Sequence, residues 1–196
     1  MDNRFIGELS TDVYGLTLNE FKLAHLQISA VQGVAADADG VHAAIASKTT
    51  AQTITTAITN PPYPRNITVT PGDTTGDIKA GTIIITGTNI AGDVITEEFA
   101  FLDDAADAKV GAKAFKTVTS IYIPVQEGTG ASFTIGFGEL LGLPLILDAK
   151  PLVFVLDDGV IATAPVITAD ADELEKNVID MNGTLDGSVY DIFMAL

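Results

Sequence analysis

The sequence predicts an all-β protein: an antiparallel β-sandwich with an N-terminal arm and extra C-terminal strands. Three observations carry that prediction. Between Gln52 and Pro144 the chain alternates apolar and polar residues at period two, in runs at 82–89, 93–101 and 115–123. On a strand, successive side chains point to opposite faces, so such runs bury Ile, Val and Phe while Thr, Lys and Glu stay wet. The runs are separated by Gly, Asp, Asn and Pro, and Thr is concentrated inside them, which favours strand over helix. Strands at this spacing, punctuated by such turns, fit a sandwich of immunoglobulin-like or related type.

Residues 1–48 read as an N-terminal arm and mixed segment. Within it, 18–26 is open between a short amphipathic helix and an irregular arm. Residues 35–40 read as a loop with an Asp39-Gly40 turn, and 41–47 as either a strand or one helical turn. Residues 49–145 form the expected sandwich core. It opens with a strand at 52–58, followed by the rigid connection Asn60-Pro61-Pro62-Tyr63-Pro64-Arg65-Asn66, which does not belong in a central strand. A strand at 67–70 and a loop at 71–77 come next. Residues 89–93 turn a hairpin between the first two runs, and 103–108 are an acidic exposed connection. Gly128 and Gly130 lead into the run 132–138, where Gly136-Phe137-Gly138 reads as a strand kink. Residues 146–196 are read as a C-terminal hairpin (152–156 and 160–164 about Asp157-Asp158-Gly159) and strands at 178–181 and 189–194, packed with the core. Asn182-Gly183 and Asp186-Gly187 mark turns.

Composition narrows the function classes. A chain of 196 residues with 47% hydrophobic content is long enough to bury a real core. Ten basic against 26 acidic residues give a net charge of −16. Such a surface repels nucleic acid and anionic membranes, and it keeps a protein dispersed. Attraction to a basic partner surface or to divalent cations is the sharper reading of the same charge. No apolar run approaches the about 18 residues of a transmembrane helix, and the first residues lack a signal-peptide pattern, so synthesis in a cytoplasm is expected. There is no Cys, which excludes disulfides and Cys-ligated zinc.

A search for chemistry finds no constellation. His25 and His42 stand apart, without a metal-ligand spacing. There is no Gly-x-Ser-x-Gly elbow, and the glycine pairs about Thr129 and Phe137 lack the Lys-Ser/Thr that follows a phosphate loop. Asp37-Ala38-Asp39-Gly40 shares only the start of a calcium loop. Asp103, Asp104 and Asp107, and Asp170, Asp172, Glu173 and Glu175, are acid clusters for which solvated loops and hard-cation sites look alike. No catalytic residue, cofactor or metal site is assigned, and the chain is read as non-enzymatic.

The ordered blocks 51–61, 64–69, 85–97, 113–121 and 135–144 resemble small structural proteins encoded among the head and tail genes of tailed bacteriophages. The resemblance spans roughly half the chain and continues weakly to the final strand. It implies a virion component, placed at the capsid surface as a decoration or cement protein that binds and stabilises the shell of major capsid protein. A homo-oligomer is expected, a trimer among the options, with no nucleic-acid or membrane partner. Phe5, Ile6, Leu9 and Leu16 of the arm, and Pro61, Pro62 and Arg65 of the rigid connection, are the candidate partner-binding residues. The alternatives are a tail tube or head–tail joining protein, or a carbohydrate-binding or adhesin module on a fibre. The last fits less well, because sugar platforms favour Trp and the chain has none.

Overall fold

A computed structural model describes residues 22–73 and 76–196. The strands are β1 (Leu23–Ile28), β2 (Asp37–Ala46), β3 (Gln52–Ile54), β4 (Arg65–Asp73), β5 (Gly81–Thr88), β6 (Val94–Phe101) and β7 (Lys109–Phe115). They continue as β8 (Thr117–Ile123), β9 (Ala131–Gly142), β10 (Leu152–Asp157), β11 (Val160–Ile161), β12 (Val166–Thr168), β13 (Val178–Asp180) and β14 (Tyr190–Ala195). One 3-10 turn, Leu174–Lys176, precedes β13. The all-β class predicted from the alternation holds, and among the described residues every strand pair is antiparallel.

Among the described residues, three sheets enclose two cores. The central sheet runs β12-β13-β9-β4-β7, with β2 also paired to β9. A second sheet, β3-β8-β5-β6, packs on it in sandwich fashion. Between them lie Ile67, Val69, Ile83, Ile85, Phe115, Ile121, Phe133 and Ile135, all at 5% exposure or less, in one continuous cluster. The third, terminal sheet runs β1-β14-β10-β11. Its inner face, with Ile28, Val155, Ile192 and Met194, meets Leu141, Ile167 and Ile179 in a second cluster. The long strand β9 serves both: Phe133, Ile135 and Phe137 enter the first core and Leu141 the second, with Glu139 between.

The hairpins behave as their turn residues dictate. Thr88 and Val94 close β5–β6, and the Asn89 side chain accepts from the amides of Ala91 and Asp93 across the turn. Asp158 (φ +46°) and Gly159 (φ +81°) both sit in the left-handed region, as a two-residue turn that follows strand twist requires, and they join β10 to β11. At Gly136 a side chain would run into the Asp37 carbonyl and the Ala38 backbone, so β2 lies against β9 only because that position is bare. The kink expected there is a close strand approach.

Several local expectations need correction. Residues 23–28 are a strand and not a helix, because the operative period is two: Ala24, Leu26 and Ile28 turn inward while Leu23, His25 and Gln27 turn out. The expected loop at 35–40 is in part β2, which pairs at Asp37 with Phe137 and then shifts register before His42. The strand expected at 52–58 shortens to β3. Pro71 continues β4 past the point where its β7 partner stops at Val69↔Lys109, so its missing amide costs no ladder bond on that side. The run 115–123 divides at Lys116: Phe115 ends β7 in the central sheet and Thr117 starts β8 in the other. Strand β7 itself, rich in Ala and Gly, was masked in the sequence by its weak alternation.

Candidate interaction surfaces

The polar groups that the fold buries come first, because they decide which residues are free to meet a partner. Arg65 starts β4 at the junction of the two cores and is fully buried. Its Nη1 donates to the Val34 carbonyl at 2.5 Å, Nη2 lies 3.5 Å from Glu139 Oε2, and the guanidinium sits 4.9 Å from the Phe137 ring centre. Burial pulls its pKa down to about 10, with Glu139 opposing the shift, so the group is still charged at neutral pH. Glu139 in turn accepts from the amides of Ala36 and Leu185. This node ties the β1–β2 connection, β4, β9 and the segment before β14 together. The expectation that Arg65 meets a partner is therefore corrected: the side chain is consumed inside the fold. Asn66, next to it, donates to the Gly111 carbonyl and accepts from the Leu140 amide, bridging β7 and β9 where β4 shifts register against both.

The two other residues of that expectation lie in a cleft. Pro61 is buried and Pro62 exposed. With Gln32, Asn60, Ile90 and Lys116 they line an open depression of about 480 Å³. Phe5, Ile6, Leu9 and Leu16 lie outside the described residues.

The acidic clusters are engaged locally. Lys113 of β7 reaches Glu173 at 3.4 Å and Glu175 at 3.3 Å, and Lys176 pairs with Glu173 and with Asp170. The amides of Glu173 and Asp172 bond Asp170 Oδ1 and hold that carboxyl below its usual range. Asp37 accepts the Asp39 amide, and Asp103 that of Ala80. Among the described residues, no group of three or more His, Asp or Glu side chains is arranged to hold a metal ion, and no helix is long and apolar enough to cross a membrane.

His25 and His42 are not brought together. His42 Nδ1 contacts the Ala43 carbonyl, while His25 stacks on Phe193 at 4.4 Å and lies 2.9 Å from Asp191 Oδ1. The Gln27 side-chain Nε2 donates to the same oxygen, and the contact to His25 is the main reason that the Asp191 carboxyl is held down.

His25 belongs to a surface that the sequence reading missed. Cross-strand rows on the outer face of the terminal sheet are Leu23–Ala195–Leu152, His25–Phe193–Phe154 and Gln27–Asp191–Leu156, with Ile161 beside Leu156. Leu23 is 67% exposed, Leu152 79%, Ile161 70% and Phe154 44%. A signal was present: the run Leu152-Val153-Phe154-Val155-Leu156 is apolar at every position, whereas a strand with one wet face alternates.

One buried acid makes a test of these electrostatics. Glu97 of β6 accepts from the amides of Ala112 and Lys113, and its other oxygen is buried without a partner. Burial raises its pKa, with those amides opposing. A carboxyl raised in the folded state binds more protons there than in the unfolded chain. Its stability contribution is thus complete below the ordinary glutamate range and is lost as pH climbs through the raised value. Glu97→Gln should remove that component, so urea midpoints of variant and parent should diverge from weakly acidic to neutral pH, the parent falling relative to the variant. Parallel curves would show that Glu97 is not desolvated.

No protein-family model matches the chain, and neither a curated protein nor a solved structure does.

Proposed function

We propose that the chain is a non-enzymatic structural protein of a tailed-phage virion, a decoration or cement protein that binds the major capsid shell from outside and stabilises it. The observation that carries this reading is the exposed apolar face of the terminal sheet, set on a body of three sheets and two cores joined through the Arg65–Glu139 node. An exposed apolar face on a rigid scaffold is how a protein that attaches to a large surface is built. The blocks behind the phage resemblance support it from another side. They fall on β3, the start of β4, the β5–β6 hairpin, the β7–β8 crossing and the second half of β9, which frame the first core. The net charge of −16 keeps free copies apart before assembly. The open cleft at Pro61 and Pro62 is a second contact on the same body.

The test is binding of the purified full-length chain to capsids that lack decoration, together with its mass in solution. A small homo-oligomer that saturates such capsids and raises their resistance to heat supports the proposal. Spontaneous tubes or stacked rings, with no capsid binding, would replace it by a tail-tube role.

A further inference from the structure

The inner face of the terminal sheet ends in a pocket at its β11 edge. Asp157 pairs with Tyr190 on one side and with Val160 on the other, so these side chains share the face of Val155 and Ile192. A depression of about 320 Å³ lies between this row and the turn at 181–184. Val160, Met181 and Tyr190 give it apolar surface, and the last two are buried. Its polar lining is Asp157, Thr163, Asn182 and Thr184. The other acids of this corner are engaged. Asp186 accepts from Ser188 and, at 3.2 Å, from the Tyr190 hydroxyl, while Asp158 holds the Val189 amide. Asp180 accepts the Asn182 amide and fixes Asn182 at φ +57°. Next to it, Gly183 leaves open space where a side chain would stand. Among the described residues, the side chains of Asp157, Thr163, Asn182 and Thr184 make no hydrogen bond within the fold.

We infer that this pocket binds one ring of a neutral polyhydroxylated ligand, a pyranose sugar unit. The lining decides the class. A carboxylate accepts only, an amide donates and accepts, and a threonine hydroxyl does both. A ligand that satisfies all four at once carries several groups that donate and accept around a small frame, as a sugar ring does. An apolar ligand would strand those groups. An anion would meet Asp157 in a chain of net charge −16. A calcium ion takes about six to eight oxygens, commonly with several carboxylates, whereas Asp157 is the one carboxylate in this lining. The volume stands at the small end for ligand pockets, which suits a single ring. Val160 and Met181 are placed to meet its C–H edges. With no Trp to stack on, hydrogen bonds carry the affinity, and a dissociation constant on the order of millimolar is expected. The pocket lies on the opposite side of the sheet from Leu152 and Phe154, so a ligand here leaves the outer face open. The inference goes beyond the virion reading and holds or fails apart from it.

Isotope-labelled full-length protein can be titrated with D-glucose, D-galactose, D-mannose and N-acetyl-D-glucosamine, and with their methyl glycosides, while amide resonances are followed. At least one should give saturable shifts at residues 160–163 and 182–184, with Ile83 and Ile121 in the first core unmoved. Asp157→Asn keeps the shape, removes the charge and should weaken that binding by about tenfold. Asn182→Gly keeps the left-handed backbone, removes the amide and should weaken it by about fivefold. Binding of a methyl glycoside would assign the site to the end unit of a glycan, and binding of the free sugars alone to a monosaccharide. No saturable response to any of these sugars, or an unchanged affinity in either variant, would overturn the inference. So would shifts at the same amides from calcium chloride that exceed those from every sugar.

Discussion

Asn177→Ala is expected to lower the unfolding free energy by about 3–4 kcal/mol, because at least two buried backbone groups would be left without partners at about 1–3 kcal/mol each. Asn177 is fully buried and closes the 3-10 turn before β13. Its Oδ1 accepts from the amides of Leu147 and Asp170, at 3.1 and 2.9 Å. Its Nδ2 donates to the carbonyls of Asp170 and Glu173 at 2.9 Å each, with Leu174 further off at 3.4 Å. One side chain thus fastens the segment after Leu143 to the acidic turn that carries Lys113's partners. Asn177→Asp should be no better. It keeps the two acceptor bonds but sets a buried anionic oxygen against two carbonyls. Urea unfolding with an unchanged slope would measure both losses. A loss below about 1 kcal/mol for alanine would mean that the surrounding groups find other partners.

Arg65→Ala should destabilise the chain by about 3–4 kcal/mol, through a cavity at the junction of the cores and a lost charge-assisted bond to Val34. Arg65→Met is the informative companion. It keeps most of the volume and removes the buried charge, and such swaps are far milder than truncation, so a loss of about 1–2 kcal/mol is expected. Glu139 keeps the amides of Ala36 and Leu185 and is partly exposed, so it is not stranded. On the proposed virion role, folded Arg65→Met protein should match the parent in the capsid-binding test. Weaker binding at nearly full stability would return Arg65 to a partner surface and contradict its burial.

Both residues show where sequence reading ran out. Arg65 follows three prolines in a segment that reads as a rigid connection between strands, and nothing local tells a buried arginine from a solvated one. The difference is made by Val34, Phe137 and Glu139, which lie 31, 72 and 74 residues away along the chain. Asn177 sits among acids and looks like a loop residue, yet its partners include Leu147, 30 residues earlier. The outer face of the terminal sheet was legible in part: the apolar run at β10 was seen as a strand, but its second apolar face had no meaning until β14 and β1 were aligned beside it.

The sequence by itself determined the all-β class, the hairpins at Asn89 and Asp158-Gly159, and the strands at 178–181 and 189–194. Period-two alternation and turn chemistry are local, and they act wherever the strand ends up. Only the tertiary structure decided that β9 belongs to two cores, that residues 109–123 divide between two sheets at Lys116, and which polar side chains are consumed inside. Those outcomes depend on strand pairing over long separations and on register shifts, where one residue of slip exchanges the buried face for the exposed one.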